Sequence, residues 1–144
     1  ATLAKANLTR AKVRLGHMNA ANLEGATLTE ATFSDVTMGW VNLANANLER
    51  AILTNLALMW GNFSGADLTQ AYLLRSSLYE TNFEKANLTK ANLRKVEFQR
   101  TNLTGANLTG ANLEGAENFD TADTTGAIFC QTIMPDGSTN NSGC

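Results

Sequence analysis

The sequence predicts an all-β solenoid, a chain wound into a coil with flat sides and a corner after each side. Three observations predict it. An apolar residue recurs at every fifth position, from Leu3, Leu8, Val13 and Met18 to Leu113, and all 23 are Leu, Phe, Met or Val. Two residues before each lies a small one, beginning Ala1, Ala6, Ala11, Gly16, and 14 of these 23 are Ala. The departures from Ala fall at intervals of twenty.

Self-similarity at a fixed period is the mark of a repeat architecture. The three residues small–polar–large alternate with period two, so the small and large side chains point one way and the middle one, usually Asn as in Asn7, Asn22, Asn42 and Asn87, points the other. Two mostly polar or Gly residues follow, and there the chain must bend. A period of five fits neither a long strand nor a helix of about 3.6 residues per turn.

The departures from Ala set the number of sides. Gly16, Val36, Leu56, Ser76 and Val96 form one series, and Val41, Gly61, Thr81 and Thr101 another. The remaining two columns, Ala6 to Ala106 and Ala11 to Ala111, are Ala throughout. Four pentapeptides per turn explain this; three or five would scatter the exceptions. Roughly six coils at strand spacing of ~4.8 Å make a rod on the order of 30 Å long.

The stretches "ANLTKANL", "ADLTQAYL" and "ANLTGANLEGA" resemble the A(N/D)LXX signature of pentapeptide-repeat proteins, strongly over residues 1–115 and in degenerate form to Phe129. The resemblance implies a right-handed quadrilateral β-helix with the Leu/Phe and Ala positions inward. Such a solenoid contacts itself only coil to coil and needs capped ends.

After Leu113 the register slips by one. Phe119 and Phe129 resume as centres with Thr124 between, and Glu117, Ala122 and Ala127 are read as the small positions, which places an inserted residue near Ala116–Glu117. The expected organisation is a repeat domain over 1–129 and a capping tail over 130–144, "CQTIMPDGSTNNSGC". Pro-Asp-Gly is a turn signal, and a terminal coil left bare would expose pairing groups. Cys130 and Cys144 bracket the tail. A disulfide closing about 15 residues would add ~3 kcal/mol and imply an oxidising compartment; two free thiols are the alternative. The degenerate "ENFDTADTTGAIF" and the tail resemble pentapeptide-repeat proteins of cyanobacteria and the chloroplast thylakoid lumen, so the expected location is that lumen or a periplasm. The start at Ala1, in mid-pattern and without Met, reads as a mature or trimmed product.

Little in the sequence points to chemistry. The one histidine, His17, takes an outward Asn-type position. No His/Cys/Asp cluster has metal spacing, no nucleophile–base pair can be assembled, and no Gly-rich loop is placed to cradle phosphate. The expectation is no enzyme, no cofactor and no metal. No apolar run approaches the ~18 residues of a membrane span.

Charge is weak, with a net of −2. Residues 1–20 carry Lys5, Arg10, Lys12 and Arg14 without acids, and residues 81–100 carry five cations against Glu84 and Glu97. Some members of the resembled family are DNA mimics that inhibit topoisomerases. A mimic needs an extended negative surface, so two basic belts argue against that alternative, and no nucleic-acid partner is expected.

Sorting outward side chains by column leaves one unusual region. Ile52, Tyr72 and Leu74, then Trp40, Met59, Trp60 and Tyr79, occupy outward positions in mid-rod and predict an apolar and aromatic patch along one edge. A patch of this kind calls for a reason. Stacking between coils, self-association and docking of another protein are the three candidates, and Trp and Tyr are favoured binding anchors. The functional expectation is a non-catalytic scaffold or protein–protein interaction module using this patch.

Overall fold

The computed structural model describes residues 1–144. Parallel β-bridges join positions twenty apart all along the chain, from Thr2↔Asn22 and Asn7↔Thr27 to Asn92↔Asn112 and Glu97↔Glu117. Each side is held the same way. The Leu23 N–H donates to Asn42 O (2.7 Å), Asn42 N–H to Ala21 O (2.9 Å) and Gly25 N–H to Ala44 O (2.9 Å). Every turn of the coil therefore gives one set of backbone groups to the next turn and a different set to the one before.

The corners explain why the two polar residues recur. From Lys5 (φ 57°) to Gly115 (φ 70°) every fifth residue lies in the left-handed region. The next small residue donates back across the corner, as Ala26 N–H does to Leu23 O at 3.0 Å. A four-residue turn with positive φ only at its third residue has type II character. At several corners the Asn before the centre helps by accepting a backbone N–H two residues on, for example Glu24 N–H to Asn22 Oδ1 (3.1 Å) and Ser64 N–H to Asn62 Oδ1 (3.1 Å). Asn side chains also bond one another between turns, Asn42, Asn62, Asn82 and Asn102 each donating to the Asn twenty residues earlier. The strand runs on through two corners, in β1 (Lys12–His17) and β2 (Thr32–Thr37), which pair in parallel. Leu15 (φ 52°) and Asp35 (φ 55°) still bend the chain there.

The interior is one continuous core of the centre and small side chains. Phe63 and Phe83 stack face to face in it, with centroids 4.8 Å apart. Gly61 is small for a steric reason, since a Cβ there would meet Leu58 O at 2.9 Å and Phe63 Cε2 at 3.1 Å. The polar residues in the small columns all have partners. Thr81 and Thr101 donate to Leu58 O and Leu78 O, the centre carbonyls of the preceding turn. Ser76 does more. Its Oγ donates to Leu53 O (2.6 Å) and accepts from Leu56 N–H (3.0 Å), so a side chain one turn away closes that corner.

The C-terminal region departs from the sequence reading in two places. The Glu97↔Glu117 bridge keeps the twenty-residue step, so Glu117 sits in the outward middle position and Ala116 in the small one. The step becomes twenty-one only at Asn102↔Asp123. The extra residue lies beyond Glu117, where Asn118 (φ 54°) enters a single 3₁₀ turn, Phe119–Thr121. That turn brings Phe119 back inward, edge-on to Phe98 at 5.3 Å. Asn tolerates left-handed backbone, which lets the chain absorb the insertion without losing the aromatic. The second difference concerns where the ladder stops. It passes Phe129 and reaches Ile133, which bridges Asn112, while Thr132 fills the small slot and donates to Leu108 O (2.7 Å). Thr and Ile in the Ala and Asn positions hid this side. Beyond it, β4 (Thr139–Asn140) returns antiparallel on β3 (Thr132–Ile133), and Cys144 is disulfide-bonded to Cys130.

Candidate functional site

Trp40 and Trp60 are corner residues in one column, preceded by Ala20 and followed by Glu80 and Arg100. Their backbone N–H groups bond to Met59 O (2.9 Å) and Tyr79 O (3.0 Å), fixing the two residues one rung apart. The indoles stack at 4.5 Å and 11°. Tyr79 meets Trp60 edge-on at 5.6 Å and 85°. Beneath them the Trp60 Nε1–H donates to Glu80 Oε2 (3.2 Å), and Glu80 Oε1 pairs with Arg100 (3.0 Å). Trp40 stays 59% exposed, its outer face having only Ala20 one turn before it in the column, while Trp60, stacked on Trp40 and bonded to Glu80, is 38% exposed. Stacked aromatic pairs in these geometries are worth about 0.5–1.5 kcal/mol each beyond area burial, so part of this arrangement serves the rod itself.

The single patch expected from the sequence is two patches. Trp40, Met59, Trp60 and Tyr79 gather at one corner. Ile52 and Tyr72, bridged to one another, project from the middle of a different side with the half-buried Leu74 beside them. The exposed corner residues Asn55 and Arg75 and the side bearing Ala57 and Ser77 lie between the two groups. A corner turns the outward direction, so residues close in sequence on either side of it face different ways. Glu80 and Arg100 were missed as part of the site, although they continue the Trp column at the same spacing of twenty.

Elsewhere the surface is laced by charge. Arg10 pairs with Glu30 at 2.7 Å and Arg50 reaches the same carboxylate at 3.4 Å. The hydrogen bond from Arg10, then its charge, holds the Glu30 carboxyl below the usual range. Hydrogen bonds from Thr125 and from Ser138 do the same for Asp123 and Asp136. His17 Nδ1 lies 3.0 Å from Thr37 Oγ1 on the surface. No three His, Cys, Asp or Glu side chains come together as a metal site. No helix is long and apolar enough to cross a membrane.

The sequence matches the family described as Pentapeptide repeats in overlapping stretches from residue 6 to residue 117. Among solved structures it is similar to HetL, a pentapeptide repeat protein involved in heterocyst differentiation regulation from the cyanobacterium Nostoc sp. strain PCC 7120. The identity is 30% and the TM-score 0.76 over 97% of this chain and 66% of HetL, so this chain spans just under two thirds of that protein. It is similar in fold to Rfr23 from the cyanobacterium Cyanothece 51142, at 24% identity and a TM-score of 0.59 over 85% of this chain and 90% of that one. It is also similar in fold to QnrB1, a plasmid-mediated fluoroquinolone resistance protein, at 20% identity and a TM-score of 0.54 over 89% of this chain and 70% of that one. No match was found among curated proteins. The fold these neighbours imply is a right-handed β-helix.

Proposed function

The chain belongs to the pentapeptide-repeat family, and from that premise we propose that it is a non-catalytic scaffold that docks another protein through the Trp40–Trp60–Tyr79 edge. The observation that carries this reading is the exposure of Trp40. A stack built only to tie coils together gains nothing from leaving its outermost indole uncovered. Trp and Tyr are also the residues that most often dominate binding interfaces. The rest of the rod supports a passive role, since its interior is filled mainly by Leu, Phe and Ala side chains and every buried side-chain polar atom already has a hydrogen-bond partner.

In this reading four pentapeptides make each coil, about six coils make the rod at ~4.8 Å per rung, and the tail after Met134 caps the last of them. Gly143 N–H bonds Phe129 O (2.7 Å) and Gln131 N–H bonds Asn141 Oδ1 (2.8 Å), which lays the tail against the final turn. The Cys130–Cys144 bond favours an oxidising compartment, for which the thylakoid lumen or a periplasm is proposed. The alternative, topoisomerase inhibition by DNA mimicry, is disfavoured because acids along the rod alternate with cations, as in Arg10–Glu30–Arg50 and Glu80–Arg100.

The test compares partners captured by the unmodified chain, Trp40→Ala and Tyr79→Ala, with a thermal melt of each variant to show that it is folded. Loss of a common partner from both variants is expected; identical partner sets from folded variants would refute the docking edge. A supercoiling assay in excess protein is expected to show no inhibition.

A further inference from the structure

The columns reveal a charge asymmetry across the rod that is invisible along the chain. Consider the side centred on Val13, Phe33, Leu53, Leu73, Leu93 and Leu113, with its two bordering corners. Lys12, Arg14 and Arg94 stand on the side itself, Arg10, Arg50 and Lys90 along one corner, and Arg75 and Lys95 along the other. That is eight of the 11 cations, against five of the 13 acids, Glu30, Asp35, Glu49, Glu114 and Asp136. This side therefore carries +3, while three cations and eight acids give the rest of the surface −5. Five of the eight, Lys12, Arg14, Arg75, Lys90 and Lys95, have no acidic partner within ion-pair distance. All eight residues are exposed.

The same side holds Ile52 and Tyr72, 40% and 48% exposed, with Leu74 beside them. Arg50, Arg75, Lys90, Arg94 and Lys95 surround this apolar centre in the third to fifth turns. A shallow hollow lined by Arg50, Gln70, Tyr72, Lys90 and Asn92 opens next to the Tyr72 ring. An apolar and aromatic centre inside a charged, solvated rim is the layout of a protein–protein interface.

We infer that this basic side is a second docking surface, distinct from the Trp40–Trp60 edge, and that its occupant is a protein segment carrying acidic side chains around an apolar residue that lodges beside Tyr72. Charge complementarity selects the partner's sign, and the apolar centre selects a protein. Duplex DNA presents a negative charge about every 1.7 Å and calls for an unbroken cationic track. Here Glu30 and Asp35 interrupt the track in the second turn, and Ile52, Tyr72 and Leu74 occupy its middle. The proposal does not rest on the Trp edge, and the two fail separately.

The experiment uses the full chain and a fluorescein-labelled peptide alternating Asp/Glu with Leu and Phe, read by anisotropy at low and moderate salt. Four comparisons run beside it: the same peptide with Ser for Leu and Phe, a 20-base-pair duplex (a length of about two helical turns), anionic phosphatidylglycerol vesicles, and sedimentation of the chain alone. The acidic–apolar peptide is expected to bind best and to weaken with salt. The double variant Lys90→Glu/Lys95→Glu should weaken it by about tenfold or more, since opposed charges now face each other. Tyr72→Ala should also weaken it, and Trp40→Ala should leave it unchanged. Amide shifts of the labelled unmodified chain should cluster at residues 50–54, 70–75 and 90–95, which tests the site without any variant. The proposal is overturned if the peptide does not bind, if the Ser version binds equally, or if the shifts map elsewhere. It is also overturned if DNA or vesicles bind more tightly, or if the chain self-associates through this side.

Discussion

Replacing Ser76 with Ala removes a hydroxyl that closes a corner in the neighbouring turn. Ser76 is 1% exposed. Its Oγ accepts the Leu56 N–H at 3.0 Å and donates to Leu53 O at 2.6 Å. No backbone N–H donates to Leu53 O, and Leu56 N–H has no backbone acceptor. Ser76→Ala therefore leaves a buried donor and a buried acceptor without partners. Orphaning one such group costs about 1–3 kcal/mol. The corner regains part of this by contracting toward the direct bond that other corners make, so a net destabilisation of about 2 kcal/mol is expected. The five-residue repeat alone points the opposite way, because Ala is the commonest residue over all the small positions, although the column of Ser76 holds it only at Ala116. Thr81→Val is the internal comparison. Leu58 O keeps the Gly61 N–H at 3.1 Å, so only one of its two bonds is lost and the cost should be nearer 1 kcal/mol. Chemical denaturation gives the energies, and hydrogen exchange at the Leu56 amide gives the location. A Ser76→Ala chain as stable as the unmodified one, with Leu56 equally protected, would refute the reasoning.

Gly61→Ala should destabilise by about 1–3 kcal/mol through overpacking against Leu58 O and Phe63, whereas Gly16→Ala, where a Cβ meets nothing within 4 Å, should be near neutral; paired thermal melts check both. Reducing the Cys130–Cys144 bond should lower stability by up to ~3 kcal/mol if the chain-entropy account holds, read as the difference between denaturation curves with and without reductant. The Glu30 carboxyl should titrate below the usual carboxylate range, and Arg10→Ala should raise its midpoint, as followed by carboxyl-carbon NMR. Its pKa is depressed by folding, so its contribution is present above the unfolded-state pKa and is lost as pH falls through the folded value.

Much of this architecture was legible because inward residues repeat with two nested periods. The period of five locates Leu23, Leu28 and Phe33 as core, and the twenty-residue spacing of the non-Ala small residues matches the bridges from Thr2↔Asn22 onward. Reading failed where the local signal was ambiguous. Glu117 and Phe119 satisfy a slipped register as well as the true one, and only the bridge to Glu97 decides between them. Thr132 and Ile133 carry the ladder past Phe129 with residues foreign to the motif, because a buried Thr is acceptable wherever its hydroxyl reaches a carbonyl. The candidate patch divided for another reason. Column sorting gives height along the rod faithfully, but an outward label does not say which way a corner has turned, and Tyr72 and Trp60 stand on different sides. Charge was misread in the same way. Counted by turn it forms belts; counted by column it forms a face.

The bridges at a constant separation of twenty have a consequence for how the chain comes apart. Contacts in most β proteins tie distant segments together, which makes them slow to form and cooperative to lose. Here almost every tertiary contact reaches only the adjoining turn. Loop-closure entropy is nearly the same for each turn added, so assembly can start at any well-packed pair, such as the turns sharing Phe63 and Phe83, and spread both ways as in other linear repeats. Under load along its axis such a rod should yield as a zipper, one turn at a time, with the force set by a single rung.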